Sequence, residues 1–140
     1  MALENQDLLR SVTRTPPIRM QPYPQGAVVG TLLNVAGAPT YAPGTPLTLN
    51  ASGKWIVWTN TAKVEGFVYF QNEGDFPSHG VTVHATNDVQ GIVLVRGQIH
   101  YLDIPLPGGE VQGNLDTALK SGPRELGLDI QGLAGAGQAL

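Results

Sequence analysis

The residues able to bind a metal or move a proton are few and widely spaced: His79, His84 and His100, with Asp103 close behind the last of them. A metal site on two of these histidines would need them to converge with a carboxylate, and nothing in the spacing demands it. His100 and Asp103 stand three apart on a presumed strand, which points them to opposite faces. No metal is therefore expected, and a ligand or enzymatic site around His84, His100 and Asp103 stands only as an alternative. Ser11, Ser52, Ser78 and Ser121 lie in no Gly-x-Ser-x-Gly context, so no serine has the strained elbow that a hydrolase nucleophile uses. Neither Val28-Val29-Gly30-Thr31 nor the Gly-rich end of the chain matches a P-loop or a dinucleotide fingerprint. Glu73 and Asp75 flank Gly74 in a polar loop, but their spacing does not reproduce the twelve-residue calcium loop. The expectation is a protein that is not an enzyme and uses no cofactor.

Three other side chains are placed to bind. Trp55 and Trp58 are three apart, hence on opposite faces of a regular strand, so a sheet covered on one side exposes one of them as an interface anchor. A bulge, or a sheet covered on both sides, makes both of them core. Arg96, in Val95-Arg96-Gly97, is either a solvated hairpin tip or a polar contact.

The elements that must position these residues are short. Of 140 residues, 41% are apolar and only 14% charged, with Gly 18 and Pro 11, a composition that favours many strands and turns over long helices. That length suits one domain with a real core. The net charge of −3 is uneven. Arg10, Arg14 and Arg19 outweigh Glu4 and Asp7 up to Gln25, leaving that segment at +1 and the remainder at −4. Such a body carries no electrostatic footprint for nucleic acid. Cys is 0, which excludes disulfides and thiolate metal sites and fits a reducing compartment. No signal peptide and no membrane-length apolar run is recognisable, so a soluble product made in a cytoplasm is expected.

In residues 1–25, Pro16, Pro17, Pro22 and Pro24 force extended backbone, and the segment reads as an arm: a loose terminus, or a segment that orders on a partner. Residues 27–35 read as a strand, 40–46 as a connecting loop, and 45–70 as a β meander of three apolar pulses with a close backbone approach at Gly66. Residues 81–86 alternate strictly, with His84 outward. An apolar run follows from Ile92 to Val95, typical of a strand covered on both faces, and after Arg96-Gly97 a further strand runs from Ile99 to Ile104. Val111, Leu115, Ala118 and Leu119 form the stripe of one helix from about Glu110 to Lys120, stopped by Gly122-Pro123. Leu126, Leu128 and Ile130 alternate as a last strand. The expected organisation is thus mainly β: a small meander or barrel-like domain over 26–131 with one short C-terminal helix, an extended N-terminal arm over 1–25, and a flexible Gly/Ala tail over 132–140.

One resemblance adds a function. Thr45-Pro46-Leu47-x-Leu49, then Ser52, Lys54, Val57-Trp58 and Val64-x-Gly66, resembles the corresponding part of the lambda-type bacteriophage head decoration proteins. Pro24-Gln25-Gly26, Val93-Leu94-Val95-Arg96-Gly97 and the closing helix with Leu126-Gly127-Leu128 are similar to features of that family, so the resemblance covers roughly Tyr23 to Ile130. It implies a capsid-stabilising homotrimer on the outer surface of the expanded head, at local threefold positions, with the major capsid protein as partner and neither nucleic acid nor membrane bound. It also implies an arm that is disordered when free and adds a strand to capsid segments. The arm contacts expected on that basis are Arg10, Arg14, Pro16, Pro17, Ile18 and Arg19. The proline-studded arm and the Gly/Ala tail depart from the family pattern. A trimeric β adaptor of a phage tail or baseplate is the alternative.

Overall fold

The computed structural model describes residues 19–60, 62–69 and 80–133. In chain order its strands are β1 (Met20–Pro22), β2 (Ala27–Leu32), β3 (Thr40–Tyr41), β4 (Pro46–Leu49), β5 (Trp55–Val57), β6 (Gly66–Val68), β7 (Val81–Thr82), β8 (Val89–Leu94), β9 (Gly97–His100) and β10 (Leu128–Gln131). One α-helix, α1 (Gln112–Ser121), and the 3₁₀ turns Tyr101–Asp103 and Pro123–Leu126 lie between β9 and β10.

The protein is mainly β, and five of its strands close into a barrel in the order β2-β5-β4-β6-β8. The expected meander is corrected in one respect. β4 and β5 form the anticipated hairpin, pairing Leu47 with Val57 and Leu49 with Trp55, but β6 pairs with the far side of β4, Pro46 opposite Phe67. The long return through 58–65 allows this: Trp58 N–H donates to the Pro46 carbonyl and Glu65 N–H to the Leu47 carbonyl, carrying the chain across the end of the hairpin. β8 then closes the barrel, antiparallel to both β6 and β2, and a closed barrel leaves no strand edge to be covered.

Leu32, Leu47, Trp55, Val68 and Val93, one from each barrel strand, pack as an inner core with Val81 and Val83, and Val57 and Val89 pack against it. Their neighbours point outward into a second core. Phe67 and Leu94 face one another on the outer wall and are buried under Ile99, Leu115, Leu119, Leu128 and Ile130. That second layer is α1 and a three-stranded sheet in the order β10-β9-β1. Fully burying each such side chain contributes about 1.5–3 kcal/mol. This explains the apolar run read for β8: consecutive Val93 and Leu94 are both buried because the wall is covered on both faces here.

Other boundaries shift for local reasons. β8 does not run on into β9 as a hairpin. After Leu94 the chain leaves the barrel at Val95-Arg96 and joins the second sheet at Gly97, whose φ of 147° and tight approach to the Gln21 carbonyl leave no room for a Cβ. β9 ends at His100 rather than Ile104, because Tyr101–Asp103 turn as a 3₁₀ segment. β2 ends at Leu32, short of Val35, and the loop expected over 40–46 opens with a two-residue strand. Residues 81–86 are strand only at Val81–Thr82, and Ala85 is exposed. α1 starts at Gln112, and Glu110 stays outside it, accepting the Asn60 N–H at 2.8 Å. The amino-terminal boundary moves as well: Met20–Pro22 belong to the body, paired with β9, and Met20 packs on the second core.

Candidate functional site

The best-organised polar site lies where the chain enters the body. Asp103, carried round by the 3₁₀ turn that follows β9, accepts three hydrogen bonds from Arg19: from the backbone N–H at 2.8 Å, from Nε at 2.9 Å and from Nη2 at 3.2 Å. Arg19 in turn accepts the His100 N–H on its carbonyl, so the pair fixes both the position and the register of β1 against β9. The Asp103 side chain is largely covered, at 17% exposure, while that of Arg19 is 58% exposed. The Arg19 side-chain bond, aided by its backbone N–H, holds the Asp103 carboxyl below the usual carboxylate range against the opposing effect of burial. The paired carboxylate likewise raises the Arg19 guanidinium. Bidentate Arg–carboxylate geometry adds direction to this attraction.

His100 and Asp103 thus lie on one short stretch, but they do not build a metal site. Nδ1 of His100 accepts the Leu102 N–H at 3.2 Å, capping the turn that delivers Asp103. His84 is exposed, as its outward assignment required. Its Nδ1 accepts the N–H groups of Thr86 at 3.0 Å and Asn87 at 3.1 Å, so it too serves as a turn cap. Among the described residues no group of three or more His, Cys, Asp or Glu is arranged to hold a metal ion. His79, Glu73 and Asp75 lie outside the described residues.

A second ion pair sits at the end of the barrel. Asp88 takes Lys54 Nζ at 2.6 Å and two hydrogen bonds from Asn34, through its backbone N–H and Nδ2, both at 3.0 Å. The Lys54 bond, with that of the Asn34 backbone, keeps the Asp88 carboxyl below its ordinary range.

The binding residues expected from sequence divide clearly. Arg10, Arg14, Pro16, Pro17 and Ile18 lie outside the described residues, and Arg19 is committed to Asp103. Trp55 and Trp58 do face opposite ways, but neither is an exposed anchor. Trp55 is 6% exposed inside the barrel and Trp58 is 0% exposed in the second core, with its indole N–H donated to the Ala62 carbonyl at 2.7 Å. The expectation of an exposed indole fails because two layers cover the wall at this point. Arg96 is a polar contact rather than a free tip: Nη2 donates to the Gln25 carbonyl at 2.9 Å and its side chain crosses Gly127. It ties the β1–β2 turn to the junction of β8 and β9. Sequence reasoning missed Asp103 as the partner of Arg19, since 84 positions separate them and only the sheet pairing brings them together.

Comparison with the models of known protein families gives no match, and no curated protein matches the chain. Among the described residues no helix is long and apolar enough to cross a membrane.

Proposed function

We propose that this protein is a bacteriophage head decoration protein, which sits as a homotrimer on the outer surface of the expanded capsid at local threefold positions and staples neighbouring major capsid subunits against the pressure of packaged DNA. The observation that carries the reading is the junction at Arg19: the strand that follows residues 1–18 is locked onto the body through Arg19 and Asp103. A segment tethered in this way, bearing Arg10 and Arg14, can meet acidic capsid groups and pair its backbone with capsid strands. Three such segments on one trimer act at high effective concentration, so individually weak contacts hold collectively. The residues that carry the resemblance, from Thr45 to Gly66, span the barrel strands β4 and β5, the turns beside them and the start of β6.

The test is a truncation lacking residues 1–18, which keeps Arg19 and β1, mixed with empty expanded shells and sedimented. The expected result is a folded protein that stays in the supernatant while the full chain pellets with the shells. Native-affinity saturation of shells by the truncated chain would overturn the arm's role, and failure of the full chain to bind any expanded head would overturn the capsid reading.

A further inference from the structure

Beside the Arg19–Asp103 junction the body carries a groove of about 250 Å³, with Tyr41, Val57, Pro105, Leu106 and Pro107 among its lining. Tyr41 and Val57 are half-buried, and Leu106 is 37% exposed. One end of the groove meets the junction. A Cβ on Gly44 would stand 2.8 Å from the Asp103 carbonyl and 3.4 Å from Pro105 Cδ, so the loop that follows Tyr41 touches the chain between the residue holding Arg19 and the groove. Pro105 lies two residues past Asp103, no more than about 7 Å along the backbone. The course of the chain at Arg19 leads the same way. β1 runs antiparallel to β9, with Pro22 opposite Gly97 and Met20 opposite Ile99, and the Arg19 carbonyl accepts the His100 N–H. Followed backwards through Arg19, the chain therefore advances as β9 does, towards the stretch after His100 that forms one side of the groove.

We propose that Pro16-Pro17-Ile18 of the same chain occupies this groove, with Ile18 at the end beside Asp103 and the two prolines against Tyr41 and Leu106. Proline fixes its own φ and holds the residue before it extended, so this tripeptide has little backbone freedom to lose on docking. Such segments take up polyproline conformation and are read by grooves lined with aromatic side chains. Three residues in that conformation span about 9 Å, enough to run from Arg19 past Pro105. Covalent attachment also favours this occupant over a second copy, since a segment joined at Arg19 is present at high effective concentration whatever the dilution. The proposal concerns the free chain and goes beyond attachment to shells: it makes Thr15, rather than Arg19, the point where the remainder of the segment, with Arg10 and Arg14, parts from the body.

The experiment compares amide NMR spectra of the full chain, of chains lacking residues 1–14 or 1–18, and of the Ile18→Ser and Arg10→Ser variants of the full chain. None of these changes touches a residue of either core. The amide signals of Tyr41, Ala42, Val57 and Leu106 are expected to keep their positions in the 1–14 deletion and in Arg10→Ser. In the 1–18 deletion and in Ile18→Ser they are expected to shift together. A contact of three residues barely moves the melting midpoint, so the groove signals are the readout. Groove signals that stay in place when residues 16–18 are lost, whether the groove is then open or filled by residues 70–79, would overturn the proposal. Signals that already shift in the 1–14 deletion would do so too, by placing the occupant earlier in the chain, as would signals of the full chain that move on dilution, which mark a second copy.

Discussion

Arg19 shows how far a single residue can be read. The resemblance, with its positive charge, marked it as an arm contact, yet in the fold it pairs with Asp103, because β1 and β9 pair with Met20 opposite Ile99 and bring Arg19 beside the turn after β9. The consequence for pH follows from the sign of the shift. Asp103 is held below its ordinary value by Arg19, so the folded state prefers the charged form. The stabilisation is complete above the unfolded carboxylate pKa of about 4 and is lost as pH falls through the lowered folded value. Asp103→Asn is accordingly expected to reduce thermal stability at neutral pH and to converge with the native protein in acid. Melting curves from pH 7 to pH 2 check this; a gap that stays constant with pH would assign the loss to packing instead.

At the scale of elements, the barrel depends on Trp55 lying flat across strands that make room for it. A Cβ on Gly30 would meet Trp55 Nε1 at 2.5 Å and Cδ1 at 2.6 Å, and the ring is enclosed by the inner core. Gly30→Ala is therefore expected to destabilise by about 1–3 kcal/mol through overpacking, measurable by urea denaturation. Gly66, read from sequence as a close approach, lies under the same indole, with Trp55 Cη2 3.1 Å from where its Cβ would stand. The helix is held by its buried stripe rather than by its caps: Val111 makes no side-chain cap bond, while Leu115 and Leu119 are buried in the second core. Leu115→Ala should cost about 2–5 kcal/mol, whereas Val111→Ala, at a position 60% exposed, should change stability little. Equal losses at both positions would contradict the packing described. The helix and the Leu115–Leu119 part of its face were legible because the 3.6-residue period depends on local sequence alone, while Val111, read as the start of the stripe, lies just outside the helix and exposed. The pairing of β6 with β4 was not, since which neighbour a strand chooses depends on the path of the intervening chain.

For the whole molecule, the two cores share the barrel wall, and β1 is part of the outer layer rather than of an independent arm. Removing residues 1–24 should therefore do more than removing 1–18, since it strips Met20 from the second core and Arg19 from Asp103. Thermal denaturation is expected to give a near-native midpoint for the shorter deletion and a clearly lower one for the longer. Equal midpoints would show that β1 adds nothing to the body. A truncation that keeps Arg19 is therefore the one suited to the sedimentation test of the proposed function.

The amino-acid order by itself determined the mainly β class, the C-terminal helix with its buried Leu115 and Leu119 though not Val111, which stays exposed ahead of it, the outward His84 and the opposed faces of Trp55 and Trp58, because each follows from a two-residue or 3.6-residue period along a short segment. Tertiary structure decided that both tryptophans are buried, that the barrel closes through β8, and that Arg19 meets Asp103. Those outcomes turn on which distant strands lie side by side, and pairing across tens of residues leaves no periodic trace in the chain that makes it.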